Sequence, residues 1–137
     1  MTQHFTLDPR LEKDTRPVFS LALSDVLLMN DSRFPWLIMV PRRAGKAELI
    51  DLDRADRASL MEEIALVSEA LKAVTACEKL NVGALGNAVR QLHIHVIARF
   101  SADPVWPGPV WGHGEAVAYR PEDRHKFIEQ IRAALPT

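Results

Sequence analysis

The chain has 137 residues, of which 47% are apolar and 26% are charged, a balance typical of one globular domain with an ordinary core. Its formal net charge of −1 argues against a main role in binding nucleic-acid polymers, although a small anionic ligand is not excluded. The single cysteine, Cys77, cannot form an internal disulfide, and no apolar run is long enough for a signal peptide or a membrane span. We therefore expect one cytoplasmic domain over residues 1–137, without a membrane partner.

The first third of the chain is typical of a short helix followed by strands. An acidic cap before a proline predicts a helix over residues 8–14. Residues 18–30 have the composition of one or two strands, with Ser24-Asp25 as the candidate break. Residues 34–43 contain a strand that is apolar on both faces, so we expect it to lie centrally in a sheet.

The clearest helical pattern covers residues 53–79. Apolar residues recur there at spacings of three and four, and they are Leu60, Ile64, Val67, Leu71 and Val74. This spacing places them on one face of a long helix. We expect that face to cover the sheet, with Asp53 or Asp56 as the N-terminal cap.

The last part of the chain predicts two neighbouring antiparallel strands and a terminal helix. The strands cover residues 79–85 and 89–100, with Gly86-Asn87-Ala88 as a tight connection. A loop rich in Pro, Gly and Trp follows at residues 103–115, and Pro121 opens a helix that runs to residue 135. The order of elements predicts an α+β fold in which helices pack on an antiparallel sheet.

Two of the five histidines lie two residues apart in the last predicted strand. Side chains alternate across a strand, so this segment has an apolar face made by Leu92, Ile94 and Val96 and a polar face made by Gln91, His93 and His95. Buried polar groups require partners or solvent. A polar face beside an apolar one is therefore consistent with the floor of a cleft.

The residues alone leave three interpretations of this polar face. It could be a solvent-facing sheet surface. It could bind a metal through His93 and His95, which would require a third and usually a fourth ligand. It could also carry catalysis, because an imidazole attacks phosphorus or carbon near neutral pH without extreme activation, and a second histidine can assist.

The stretch QLHIHVIAR resembles the signature of the histidine triad (HIT) family, in which three histidines alternate with apolar residues on a strand. The segment NDSRFPWLIMVPRR is similar to the family's upstream strand, and the long helix and the Gly-Asn-Ala-Val approach also fit. The resemblance covers roughly residues 18–112 and leaves a C-terminal loop and helix at residues 113–137. It implies a HIT-like fold and a homodimer.

The resemblance implies a role for each position of the motif. His93 matches the nucleophile, which attacks the α-phosphate of a nucleotide and forms a nucleotidyl-histidine. His95 matches the histidine near the phosphate and leaving group. Gln91 replaces the first histidine; it can still form hydrogen bonds and orient a phosphate, but it cannot carry positive charge.

Four further positions complete the expected site. Asn87 matches a position that contacts the phosphate, and Gly86 permits close approach of the backbone. Asn30 matches an asparagine on the nucleoside side, whereas Trp36 departs from an upstream histidine.

The expected function is that of a nucleotide hydrolase or nucleotidyl transferase acting on a nucleoside phosphate or a dinucleoside polyphosphate. No cofactor and no bound metal are expected to be required, although Mg²⁺ can accompany a polyphosphate substrate as its counter-ion. Two alternatives stay open: a non-catalytic nucleotide-binding module, and a metal-dependent enzyme with His93 and His95 as ligands.

Overall fold

The computed structural model describes residues 4–136, which contain three α-helices and a five-stranded antiparallel sheet. The helices are α1 (Pro9–Asp14), α2 (Arg54–Thr75) and α3 (Pro121–Ala134). The strands are β1 (Thr15–Ser20), β2 (Ser24–Met29), β3 (Trp36–Pro41), β4 (Lys79–Gly83) and β5 (Ile94–Arg99), and they lie in the order β1-β2-β3-β5-β4. The predicted α+β fold with an antiparallel sheet is confirmed.

The first three strands form a meander that ends at the middle of the sheet. Every residue of β3 is buried between β2 and β5, as the two-sided apolar pattern predicts. The break in the first strand region lies at residues 21–23 rather than at Ser24-Asp25, and the Leu21 N–H donates to the Ser24 carbonyl across it. β1 also begins earlier than predicted, at Thr15, because it can pair with β2 as soon as α1 ends.

The long helix begins where the sequence predicts it and ends earlier. The Asp53 side chain accepts a hydrogen bond from the Asp56 N–H, which caps the first turn. The helix was predicted to reach residue 79 but ends at Thr75, because Ala76 adopts a left-handed conformation with φ 54°. The Glu78 N–H then donates to the Arg99 carbonyl, so the chain has already turned towards β4.

Strand β5 divides its side chains between the two faces of the sheet. On one face, which we call the helix side, Leu92, Ile94, Val96 and Ala98 pack in the core that includes α2 and α3. The other face, which we call the histidine side, carries His93, His95, Ile97 and Arg99. Ile97 packs there with Trp36, Phe34 and Leu11. The predicted alternation therefore holds along the whole segment.

The predicted strand over residues 89–100 is too long, and its connection to β4 is not a tight turn. β5 begins only at Ile94, and residues 84–93 form the connection. The Leu92 N–H donates to the carbonyl of Lys46, outside the sheet, so this part of the segment does not join the ladder. His93 consequently lies immediately before the first residue of β5 rather than within the strand.

Candidate functional site

The two histidines of the motif lie side by side on the histidine side. Both are almost fully buried, with 6% of His93 and 5% of His95 exposed. Their ring centroids are 4.9 Å apart and the rings are nearly perpendicular. Two imidazoles this close cannot both be protonated cheaply, so the site favours at least one neutral ring.

The partner of His93 defines the chemistry of its ring. His93 Nδ1 lies 2.7 Å from the backbone carbonyl oxygen of Gln91. A carbonyl oxygen only accepts hydrogen bonds, so Nδ1 carries the proton and Nε2 keeps its lone pair. The ring also lines a cavity of about 210 Å³ that is shared with Gly86, Gln91 and Leu49. His93 is therefore held in the tautomer that a nucleophile at Nε2 requires.

His95 is held between two tryptophans. Trp36 Nε1 donates a hydrogen bond of 3.0 Å to His95 Nδ1. Trp111 approaches the same ring edge to face, with centroids 5.3 Å apart. Burial, and after it the charge of His93, lowers the pKa of His95 to about 4. This imidazole is consequently neutral at physiological pH.

The side chain of Gln91 binds the N-terminal segment of the chain. Gln91 Oε1 accepts a hydrogen bond of 2.8 Å from the Asp8 N–H, and Nε2 donates one of 2.9 Å to the Thr6 carbonyl. These contacts occupy both ends of the amide. The expected role of Gln91 in orienting a phosphate therefore stays a prediction. The observed contacts of its side chain instead hold Gln91 in place, and the backbone carbonyl of the same residue binds His93.

Asn30 lies on a second cavity, of about 400 Å³, whose walls include Trp36, Trp111, Lys13 and Arg33. The Oδ1 of Asn30 accepts a hydrogen bond of 3.0 Å from the Tyr119 N–H. The position therefore borders a space with aromatic walls and with both cationic and acidic side chains. Part of the hydrogen-bonding capacity of Asn30 is nevertheless used to hold the C-terminal segment.

The segment between β5 and α3, at residues 113–119, is held against the turn after β2 by several hydrogen bonds. Ser32 donates its N–H to the Val117 carbonyl, and the Arg33 guanidinium donates to the carbonyl of His113. Arg33 also forms a salt bridge of 2.8 Å with Asp31. Burial raises the pKa of Asp31, but the hydrogen bonds from Arg33 and Val117, together with the charge of Arg33, outweigh burial and lower this pKa below its ordinary value. These contacts hold the segment whose residues His113, Gly114 and Ala116 line the larger cavity.

The two remaining expected residues differ in position. Gly86 lines the cavity beside His93 and has φ +72°, a conformation that suits glycine. Asn87 is exposed and is not among the residues that line that cavity. Its expected contact with a phosphate would require the connection between β4 and β5 to move. Lys46 and Arg90 line an adjoining cavity of about 200 Å³ and place positive charge near Gln91.

Arg99 is held by several partners within the protein. It forms a salt bridge of 2.7 Å with Asp103, and it donates to the side chain of Asn81 and the carbonyl of Gly108. Its guanidinium also lies over the Trp106 ring. Arg99 therefore holds the loop after β5, which places Trp111 against His95.

The metal-dependent alternative would require further ligands beside His93 and His95. Within residues 4–136, no group of three or more His, Cys, Asp or Glu side chains is placed to hold a metal ion. His93 and His95 each have one ring nitrogen engaged by a protein partner.

Within residues 4–136, no helix is long and apolar enough to cross a membrane.

Comparison with known proteins agrees with this fold. The family model described as the HIT domain matches residues 10–102, and the chain belongs to the HIT family. A histidine triad protein from Sinorhizobium meliloti is 52% identical, with a TM-score of 0.94, over 96% of this chain and 97% of its own. One from Bradyrhizobium japonicum is 46% identical, with a TM-score of 0.96, over 98% of this chain and all of its own.

A third solved structure, a histidine triad protein from Marinobacter aquaeolei, is 41% identical, with a TM-score of 0.94, over 97% of each chain. None of the curated proteins compared with the chain matches it. Membership of the HIT family implies nucleotide binding or nucleotide hydrolase or transferase activity.

Sequence reasoning missed the contacts that hold the two histidines. Trp36 stands out in the sequence as a departure from the family pattern, but its bond to His95 depends on the pairing of β3 with β5. The contacts of Gln91 join positions more than 80 residues apart. No local pattern carries such information, so only the folded chain reveals it.

Proposed function

We propose that the protein is a nucleotide hydrolase or nucleotidyl transferase that acts at an α-phosphate through a covalent nucleotidyl-histidine on His93. One observation carries the proposal: the Gln91 carbonyl holds the proton of His93 on Nδ1, beside a cavity, and leaves the Nε2 lone pair for attack. A neutral nucleophile avoids the repulsion that an anion meets at a phosphate.

The reaction proceeds in two displacements. Nε2 of His93 forms a bond to phosphorus while the bond from phosphorus to the leaving group breaks, and the leaving group takes up a proton from solvent. Water or another acceptor hydroxyl then attacks the same phosphorus and releases its proton to solvent, while the N–P bond breaks and its electron pair returns to Nε2. Two moderate barriers replace one high barrier. The proton stays on Nδ1 throughout, and its hydrogen bond to the Gln91 carbonyl stabilises the positive charge that the ring acquires.

The proposal assigns the other expected roles to residues around His93. His95 presents an Nε2–H to a phosphate oxygen, because its Nδ1 is engaged by Trp36. The larger cavity, with Asn30 and the two indoles on its walls, would take the nucleoside. Gly86, and Asn87 after a shift of its loop, would approach the phosphate from the opposite side. A Mg²⁺ ion accompanying a polyphosphate substrate would neutralise part of its charge.

A homodimer is part of the proposal. β4 is an edge strand of the sheet, and Val82 on it is 48% exposed. An open edge with apolar side chains favours pairing with a second copy. Sedimentation of the purified chain as a dimer would support this arrangement, and sedimentation as a monomer at all concentrations would contradict it.

The alternative of a non-catalytic nucleotide-binding module rests on a specific observation. Gln91 removes one imidazole from the motif, and its amide is engaged by Thr6 and Asp8. Calorimetry that shows nucleotide binding, together with no turnover across nucleoside phosphoramidates and dinucleoside polyphosphates, would favour this module over the enzyme.

The decisive experiment compares two histidine variants. Turnover of a nucleoside phosphoramidate and of a dinucleoside polyphosphate is measured for the unaltered chain, His93→Ala and His125→Ala. His125 is exposed on α3, away from both cavities, and serves as the matched control. We expect His93→Ala to lower turnover about a thousandfold or more and His125→Ala to leave it unchanged. Full activity of His93→Ala would refute the proposed nucleophile.

A further inference from the structure

Two tryptophans touch the ring of His95, but only one forms a hydrogen bond with it. Trp36 reaches the ring from β3, where Ile38 is the direct cross-strand neighbour of His95, so the indole crosses diagonally. Trp111 packs on the ring from the loop after β5, and its Nε1 is buried with no hydrogen-bond partner among the described residues. The two indoles are similar in position and different in chemistry.

The donor from Trp36 constrains the protonation of His95. An indole N–H can donate a hydrogen bond but cannot accept one. His95 Nδ1 must therefore be without a proton for the bond of 3.0 Å to exist. A neutral ring then carries its single proton on Nε2. Protonation of Nδ1 would turn two donors towards each other in a place where water cannot separate them, since His95 is 5% exposed.

We propose that Trp36 is a positioning residue that locks His95 as a neutral ring with its proton on Nε2. His93 and His95 then have opposite tautomers, set by an acceptor in one case and a donor in the other. One ring offers a lone pair to phosphorus and the other offers a proton to a phosphate oxygen. The inference deepens the proposed function, on which its kinetic consequence rests.

The lock also keeps positive charge away from the nucleophile. The groups next to His95 include Ile38 and the Trp36 indole from β3, the Trp111 indole from the loop, the backbone of Gly83 from β4 and the His93 ring. Of these groups, only the His93 ring is ionisable. A protonated His95 would oppose the charge that His93 acquires when it bonds to phosphorus. The hydrogen bond from Trp36 therefore disfavours a second positive charge beside the nucleophile.

The test compares matched variants by the ¹⁵N NMR shifts of the His95 ring, which distinguish protonated from unprotonated ring nitrogens. In the unaltered chain we expect Nδ1 to be unprotonated and Nε2 protonated from pH 5.5 to pH 8. Trp36→Phe removes the donor and keeps an aromatic ring, so the ring should show mixed tautomers and a pKa shifted upward from about 4. Trp111→Phe removes an indole that forms no bond to His95, so the tautomer should not change.

A second variant guards against misfolding of the first. Trp36→His supplies a ring that can accept as well as donate, and it should also release the lock. Unchanged His95 shifts in a folded Trp36→Phe or Trp36→His chain would overturn the proposal. So would a change of equal size in Trp111→Phe, because the effect would then follow packing rather than the hydrogen bond.

Kinetics give a readout that depends on the proposed function. We expect Trp36→Phe to lower turnover about three- to tenfold at neutral pH, which is the effect of one hydrogen bond. In the pH profile of turnover, protonation of His95 should add a further decrease on the acidic side. A turnover profile of folded Trp36→Phe that superimposes on that of the unaltered chain would overturn the role of the lock in the reaction. If NMR shows the lock and the unaltered chain shows no turnover, the tautomer assignment stands and the proposed function fails.

Discussion

The two faces of β5 are built on different principles, although their residues alternate along one strand. On the helix side, Val96 and its neighbours are enclosed by apolar side chains from α2 and α3. On the histidine side, His93, His95 and Arg99 are equally buried, but each has a directed polar partner. Burial alone therefore does not distinguish a core from a site, whereas the nature of the partners does.

This difference predicts how each face responds to substitution. Apolar packing depends on volume and tolerates another side chain of similar size. A buried hydrogen bond depends on chemical identity, because the partner left behind stays buried and unsatisfied. Substitutions that keep shape should therefore be mild on the helix side and severe on the histidine side.

The largest effect is expected at Arg99. Its replacement by Met keeps much of the volume but leaves Asp103 without its salt bridge and Asn81 without its donor. We expect the free energy of unfolding to fall by about 4 kcal/mol, as measured by urea denaturation at pH 7.5. A loss below about 1 kcal/mol would show that Arg99 tolerates substitution as the helix side does, and would contradict the difference between the two faces of β5.

The helix side is tested at Leu37, which is fully buried and pairs with Val96 in the sheet. Leu37→Ala leaves a cavity and should cost about 3 kcal/mol in the same denaturation experiment. Leu37→Met, the matched control, should cost less than about 1.5 kcal/mol. Equal losses for both variants would show that this face requires more than volume.

A pH dependence is expected from His95. Its pKa is 6.5 when unfolded and about 4 when folded, so the native state excludes a proton that the unfolded chain binds. The stabilisation is complete above pH 6.5 and is lost as the pH falls towards 4. Between pH 7.5 and pH 4.5 the unaltered chain should lose about 2 kcal/mol more than His95→Asn. Parallel pH profiles of the two proteins would contradict the burial of a neutral ring.

The smallest effect is expected at Gln91. Gln91→Ala removes the acceptor of the Asp8 N–H and the donor to the Thr6 carbonyl. We expect about 1 kcal/mol of local destabilisation, seen as faster hydrogen exchange at the Asp8 amide. Gln130→Ala, on the exposed surface of α3, is the control and should leave that amide unchanged. Unchanged exchange in Gln91→Ala would show that the N-terminal segment is held by other contacts.

Much of this architecture could be predicted from the sequence, because periodicity depends on local geometry. The helical spacing of Leu60, Val67 and Leu71 and the alternation around His93 both predict which side chains face the core, and the structure confirms both. The two-sided apolar pattern of β3 likewise predicts its central position.

The parts that could not be predicted depend on contacts between distant segments. The early end of α2 follows from the turn at Ala76, and the late start of β5 follows from the bond between Leu92 and Lys46. The partners of Gln91 and His95 come from the N-terminal segment and from β3. The motif points to the candidate reactive residues, but the tautomers of their rings depend on neighbours that the motif does not contain.

The central claim, a covalent intermediate on His93, is tested most directly by trapping it. The chain is mixed with a dinucleoside polyphosphate, quenched in denaturant at alkaline pH to preserve the acid-labile N–P bond, and its mass and peptides are measured. The account predicts an adduct of one nucleoside monophosphate unit on His93, absent from His93→Ala and present in His125→Ala. Turnover without any adduct under single-turnover conditions, or an adduct on another residue, would contradict it.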